Sequence, residues 1–229
     1  MPGVPSKIWE GETVFILGGG PSLSLVNFEL IKERRIIAVN NSYGKPVKGK
    51  GRDTKEDWFS GTSRYDPYDW VDFLWFGDGR WFDMHRKFLR KFKGMIAHCA
   101  PRIAKRNLPG VFSYRRGKQY GIETDRDKVS WNKSSGGSAI NFAYHLGVKR
   151  IILLGFDMKR VDNKPNWHTD HPAYDTKNPY YRFLRGFPFI KKQLTELGVE
   201  VINCTVGSVI QEFKIMKLED YLKWETKKV

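Results

Sequence analysis

The sequence predicts an α/β fold built on a mostly parallel, doubly wound, Rossmann-like sheet with helices on both faces and basic loop insertions. Three observations predict it. Short apolar runs at residues 13–17, 35–39, 72–76, 95–98 and 151–154 read as strands. Segments of helical period alternate with them, and such alternation belongs to parallel sheets covered on both sides. Turns rich in Gly, Ser and Asn follow several of these strands, at the edge where such sheets bind ligands. The 229 residues fit one domain over 1–229, with insertions near 45–70 and 101–133 and a lid near 159–180.

The elements follow in order. The strand at 13–17 ends in Gly18-Gly19-Gly20-Pro21-Ser22 and leads to an amphipathic helix with Leu25, Phe28 and Ile31 on one side. The strand at 35–39 ends in Asn40-Asn41-Ser42, and residues 45–68, rich in Gly, Lys, Asp and Ser, read as a long connection. The strand at 72–76 ends in Gly77-Asp78-Gly79, with a helix from about Arg80 and a further strand at 95–98. Residues 101–133 show no period and read as an irregular excursion. Ser134-Ser135-Gly136-Gly137-Ser138 opens a helix over 139–146 that Gly147 closes. The strand at 151–154 ends in Gly155-Phe156-Asp157, and a polar segment with two histidines follows. A helix over 181–197 capped by Gly198, a strand at 199–204 and a charged helix over 218–227 complete the chain.

The net charge of +15 favours a polyanionic partner, nucleic acid foremost. Between residues 81 and 120 the cations Arg86, Arg90, Arg102, Arg106, Arg115 and Arg116 are interleaved with aromatic rings. The rings are Trp81, Phe82, Phe88, Phe92, Phe112, Tyr114 and Tyr120. Cations that follow phosphates, beside rings that stack on bases, suit a single strand or a flipped base. Phe88 and Phe92 are also spaced as the core face of a helix would be. An apolar share of 40% and an aromatic share of 14% exclude global disorder. No apolar run approaches the ~20 residues of a membrane-spanning helix, so no membrane partner and a cytoplasmic location are expected. Cys99 and Cys204 have neither metal-ligand spacing nor a disulfide framework, and Cys204 reads as a small buried hydrophobe.

The candidate site gathers at the strand ends. Gly18, Gly19 and Gly20 let the backbone approach a ligand, and the amides after Pro21 and Ser22 favour an anion. The turn is neither GxGxxG nor a Walker loop. Asn40 can read a base or sugar through its amide, or serve a turn. Asp78 and Asp157 could each hold a ribose hydroxyl, a metal ion or a basic side chain. Ser135 and Gly136 stand in a second Gly/Ser-rich helix start. In Trp167-His168-Thr169-Asp170-His171, His168 or His171 can act as general base near neutral pH. The two also have the i,i+3 spacing of metal ligands, without a third ligand of matching spacing. His85, His98 and His145 read as surface or packing residues.

The order of these motifs resembles the bacterial sialyltransferases of glycosyltransferase family 42, which use CMP-sialic acid. Residues 135–157 carry the best match, and the motif order spans most of 13–213. The GxGPSL turn is shared with a broader group that includes archaeal 6-hydroxymethylpterin diphosphokinases, and the whole chain looks like proteins of tailed phages and prophages. The resemblance implies a glycosyltransferase-A-like fold. It implies that residues 18–23, Asn40, Ser135 and Gly136 contact a nucleotide-sugar donor, CMP-linked or other. It further implies that a histidine of a mobile lid, His168 or His171, is the general base. Two positions depart from the family. Gly19 replaces the turn asparagine, and Met158-Lys159 stands where the family has a tyrosine supporting the leaving phosphate, a task that suits the Lys159 cation.

The expected function is therefore transfer of a sugar from a nucleotide donor by direct displacement, without a required metal. The expected acceptor is nucleic acid, phage DNA or a modified base. Two alternatives stand beside it. One is a diphosphokinase-type transferase using ATP and Mg held by Asp78 and Asp157. The other is a non-catalytic nucleic-acid-binding protein on the same fold.

Overall fold

In β1 (Thr13–Leu17), Val14 and Ile16 point to one face of a sheet and Phe15 and Leu17 to the other, and all four are buried. β2 (Arg35–Val39) repeats the pattern, which leaves no solvent-facing register and explains the unbroken apolar runs. The structure, a computed structural model, describes residues 5–46, 65–168 and 179–227. β3 (Gly44–Pro46) and β4 (Tyr65–Pro67) form a small antiparallel pair at the two ends of the long connection. β5 (Phe73–Phe76) and β6 (Met95–His98) continue the main sheet.

Residues 101–133 are less irregular than their sequence suggests. β7 (Val111–Ser113) joins the main sheet beside β6, and β8 (Arg115–Arg116) pairs with β9 (Lys128–Val129). Strands of two or three residues carry too few positions to show a period. β10 (Arg150–Leu154), β11 (Glu200–Asn203) and β12 (Lys214–Ile215) complete an eight-stranded sheet of order β12-β11-β10-β1-β2-β5-β6-β7. Every neighbouring pair in it is parallel. The chain builds outward from β1 through β2, then returns to place β10 on the other side. The order therefore reverses between β1 and β10, where open α/β sheets leave their ligand crevice.

Helices cover both faces. α1 (Gly79–Leu89) and α6 (Leu218–Thr226) pack on the Phe15, Phe76 and Leu154 side. α3 (Ser135–His145) and α5 (Phe187–Glu196) pack on the Ile16, Trp75 and Leu153 side. Two short helices, α2 (Pro101–Ala104) and α4 (Tyr180–Leu184), lie in the connections. On the second face Trp75 stacks on Phe142 at 4.7 Å, and its Nε1 donates to Ser138 Oγ at 2.9 Å. A buried indole thus keeps its polar tip satisfied.

Three elements differ from their expectation. The amphipathic helix after the glycine turn is a pair of 3-10 turns, Pro21–Leu25 and Phe28–Leu30. Asn27 Oδ1 accepts from Glu29 N and starts the second turn afresh, which leaves Leu25 86% exposed while Ile31 is buried. The helix over 181–197 is α4 followed by α5, because Pro188 has no amide to continue a helical ladder and instead suits a first turn. The helix placed at 139–146 begins at Ser135, so Gly136, Gly137 and Ser138 lie inside it. Gly147, at φ +86°, ends it as expected. No helix among the described residues is long and apolar enough to cross a membrane.

Candidate nucleotide site at the carboxyl edge

The glycine turn is stitched to the loop after β10. Gly18 N donates to Leu154 O and Gly20 N to Gly155 O, both at 2.7 Å. Ser22 N donates to Asp157 Oδ1 at 3.2 Å, and Ser22 Oγ to Asp157 Oδ2 at 2.8 Å. Leu23 N returns to Gly20 O. The Ser22 amide, expected to face a phosphate, is thus taken by a buried carboxylate, which the helical N-terminus favours for the same electrostatic reason. Pro21 has no N–H, so Gly19 N is the amide of this turn that has no acceptor among the described residues.

Gly18 and Gly136 serve a ring. A Cβ on Gly18 would lie 2.8 Å from Phe156, and one on Gly136 would lie 2.9 Å from it. The buried Phe156 side chain is wedged between the turn after β1 and the start of α3, and sets their spacing. Sequence reading missed this role, although an aromatic beside Asp157 facing two glycine-rich turns is a usable signal.

Asn40 stands at the end of β2 with φ +53°, a left-handed conformation that asparagine tolerates better than most residues. Its Oδ1 is buried and has no hydrogen-bond partner among the described residues. The next two side chains are committed to the fold. Asn41 Oδ1 accepts from Trp81 Nε1 at 2.6 Å, and Ser42 Oγ donates to Gly18 O at 2.6 Å. An orphaned buried acceptor costs on the order of 1–3 kcal/mol, and such costs collect where a ligand supplies the donor.

At the start of α3, Ser134 is the N-cap and accepts from Gly137 N at 3.4 Å. Ser135 Oγ accepts from Gly77 N at 3.3 Å and so ties α3 to the end of β5. Asp78 is exposed and caps α1 by accepting from Arg80 N at 2.8 Å. Asp78 and Asp157, the pair that an Mg site would need, each serve local donors. Among the described residues no group of three His, Cys, Asp or Glu side chains is placed to hold a metal ion.

The histidine segment closes on the glycine turn. Trp167 N donates to Gly19 O at 3.2 Å, and Trp167 Nε1 donates to Ser42 Oγ at 3.2 Å. In its satisfied orientation the Asn166 amide also donates to Gly19 O at 3.2 Å. His168, 9% exposed, stands edge-on to Trp167 and Tyr65 with ring centroids 5.5 and 6.4 Å away. His171 lies outside the described residues, as do Thr169 and Asp170. Lys159 is exposed, with its Nζ 3.7 Å from where a Gly207 Cβ would stand.

His85, His98 and His145 are all buried. His85 stacks on Trp81 at 4.3 Å and meets Tyr43 Oη through Nδ1 at 3.1 Å. Burial lowers the pKa of His98 to about 4, and its Nδ1 accepts from Ala100 N at 3.1 Å. Burial also lowers that of His145, against a partial opposing effect of the Lys128 carbonyl. Burial pushes the Cys204 thiol up to about 12, consistent with a hydrophobic role.

The basic stretch divides. Arg102 and Arg106 both reach Asp83, Arg115 pairs with Asp127, and Arg116 donates to Cys99 O at 2.8 Å and Gly77 O at 2.5 Å. Arg86 and Arg90 are exposed at the far end of α1 and pair with no carboxylate among the described residues. Trp81, Phe82, Phe92 and Tyr114 belong to the core, so they are not available to stack on a base. Apolar burial outweighs exposure for rings of this size.

The all-parallel sheet, its reversal between β1 and β10 and the polar turns at that edge define the Rossmann-like α/β class. Within that class, the structure is similar to the sialyltransferase CstII from Campylobacter jejuni, solved in complex with a substrate analogue, cytidine-5'-monophosphate. The TM-score is 0.54 at 13% identity, with 90% of this chain and 85% of that chain covered. At this identity the likeness establishes the fold. No family model matches the chain, and no curated protein sequence matches it.

Proposed function

We propose that the protein is a glycosyltransferase that takes its sugar from a nucleotide-activated donor bound at the carboxyl edge beside β1 and β2. The orphaned carbonyl of Asn40 and the Gly19 amide, which has no acceptor among the described residues, follow the neighbouring strands β2 and β1 in a fold shared with a CMP-bound sialyltransferase, and they carry this reading. Asn40 Oδ1 takes a donor hydrogen from the base or sugar, and Gly19 N–H and Ser135 Oγ take phosphate or ribose oxygens. Gly18, Gly20, Pro21, Ser22, Gly136 and Asp157 hold the shape of the turn that presents them. His168, with His171 as the other candidate, removes the acceptor hydroxyl proton as the acceptor oxygen bonds to the sugar carbon. The carbon–phosphate-oxygen bond breaks, and the nucleotide leaves with the electron pair. The Gly19 amide and Lys159 bear the charge that develops on it.

The proposed acceptor is a nucleic acid, supported by the net charge of +15 and by Arg86 and Arg90, which pair with no carboxylate among the described residues. The test is calorimetric titration of the purified protein with CMP, UMP, GMP, AMP and their sugar conjugates. One nucleotide is expected to bind, with affinity reduced at least tenfold in Asn40→Ala. His168→Asn is expected to keep that affinity and to lose transfer. Absence of binding by every nucleotide, or an unchanged affinity in Asn40→Ala, overturns the reading.

A further inference from the structure

Beside the rings buried in the core, Phe189 is exposed, while Tyr120 and Trp131 are half-buried, with Trp131 packing against the core. Arg116 and Ser135 grip the two sides of Gly77: Arg116 Nη2 donates to its carbonyl, and Gly77 N donates to Ser135 Oγ. From that shared residue a band of ring and cation pairs runs outward. The Arg116 guanidinium and the Lys133 ammonium each lie 4.4 Å from the Trp131 ring centroid. Tyr120 stacks on Phe189 at 5.8 Å with 11° between planes, and Arg185 lies 5.6 Å from the Tyr120 ring. Phe189 is 54% exposed.

This band is held rigidly. Asn132, 1% exposed, accepts from Gly121 N at 2.8 Å and donates to Gly121 O and Ser130 O, both at 3.0 Å. Asn132 N donates to Gln119 O, and Ile122 N donates to Gln193 Oε1 of α5. The segments bearing Tyr120, Trp131 and Phe189 are thus one framework. Asn132 and Lys133 both sit at positive φ, +53° and +54°, in the turn that leads into α3. Consecutive left-handed residues outside glycine are costly, and they persist at binding surfaces because neighbouring structure fixes them. Lys133 and Arg185 pair with no carboxylate among the described residues, and Glu123 turns inward to accept from Thr124 N.

We infer that this band, Trp131, Tyr120 and Phe189 with Arg116, Lys133 and Arg185, is the docking surface for a single-stranded nucleic acid that leads into the transfer site. The inference rests on the proposed nucleic-acid acceptor and gives it a place. Ring faces at a surface are of use to unpaired bases, since paired bases are stacked on one another. Cations set against those rings answer the phosphate between successive bases. The guanidinium of Arg116 is anchored by two carbonyls, whereas the Lys133 ammonium over the Trp131 ring has no carboxylate partner among the described residues.

The test is fluorescence anisotropy with a labelled dT20 strand, run beside nucleotide titration of the same variants. Phe189→Ala, at an exposed position, and Trp131→Leu are each expected to weaken dT20 binding several-fold, and together at least tenfold. Their nucleotide affinity stays within twofold of the parent. Lys133→Gln and Arg185→Gln are expected to lower the slope of log affinity against log salt by about one each. A duplex of the same length and dextran sulfate of matched charge are expected to bind more weakly than dT20. Unchanged dT20 binding in Phe189→Ala and Trp131→Leu, or dextran sulfate bound as tightly as dT20, overturns the inference. Loss of nucleotide binding by the parent protein with dT20 binding intact would fall on the transferase reading alone.

Discussion

The Asp157 carboxylate accepts both the amide and the hydroxyl of Ser22, joining the loop after β10 to the turn after β1 where the sheet order reverses. Asp157 is 3% exposed, so its removal leaves the two half-buried donors of Ser22 without this acceptor. Asp157→Ala is expected to lower stability by about 2–4 kcal/mol, and Asp157→Asn by less because one acceptor remains. Urea midpoints of the two variants check this order. A parent-like midpoint for Asp157→Ala would show that the joint is not a support.

The Phe156 wedge makes a prediction about pairs of substitutions. Gly136→Ala places a Cβ against the Phe156 ring and is expected to cost about 1–3 kcal/mol through overpacking. Phe156→Leu, which shortens the ring to a branch, should recover part of that loss when combined with Gly136→Ala. Thermal melting of the two single variants and the double variant gives the coupling directly. Additive losses would mean that the two residues do not press on each other.

Asn40 sets the stability of the fold against the proposed nucleotide binding. Asn40→Gly removes the strain of a left-handed side chain and the buried orphan carbonyl, so the ligand-free protein is expected to gain about 1 kcal/mol. The same variant is expected to lose at least tenfold in nucleotide affinity. A melting curve and a titration on one preparation test both halves, and a destabilised Asn40→Gly would contradict the first.

The buried His98 sets an acid limit. Its folded pKa, about 4, lies below the usual 6.5, so the folded state favours the neutral ring. The unfolded chain therefore binds the proton more readily between these values, and stability falls as pH drops from about 6.5 to about 4. Full expression of this difference is worth roughly 3 kcal/mol. His98→Phe should flatten the stability profile over that window, leaving the smaller fall due to His145. Chemical denaturation at pH 7, 6, 5 and 4 measures it, and an unchanged slope in His98→Phe removes His98 as the cause.

The sheet was legible because β1, β2 and β10 are apolar at every buried register, and a pattern with no polar interruption has few other homes. Their carboxyl edge was legible for the same reason, since polar Gly18, Asn40, Gly77 and Gly155 each follow such a run. The 3-10 turns after Pro21 were not, because Leu25, Phe28 and Ile31 keep helical spacing while the Asn27 side chain breaks the ladder. Trp81 and Tyr114 were read with their cationic neighbours because a ring's burial depends on partners far away in the chain. Tyr114, for instance, packs on Phe142. The proposed surface role of Trp131 and Phe189 was hidden in the same way, as the placing of these rings depends on Asn132 and Gln193 bridging separate segments. The tie between Asp157 and Ser22 spans 135 positions, beyond the reach of any local pattern.

The hydrogen bonds of Trp167 to Gly19 O and to Ser42 Oγ, with Ser42 in turn donating to Gly18 O, tie the segment that carries His168 to the glycine turn. His168 follows Trp167 in the chain and stands edge-on to its ring, so a shift of the glycine turn is expected to move the histidine with it. For the proposed transferase this coupling gives an expectation: the nucleotide settles before the acceptor is deprotonated, and spent nucleotide leaves last. Such a sequence of events leaves a kinetic signature, competitive inhibition by the free nucleotide against the donor and noncompetitive against the acceptor.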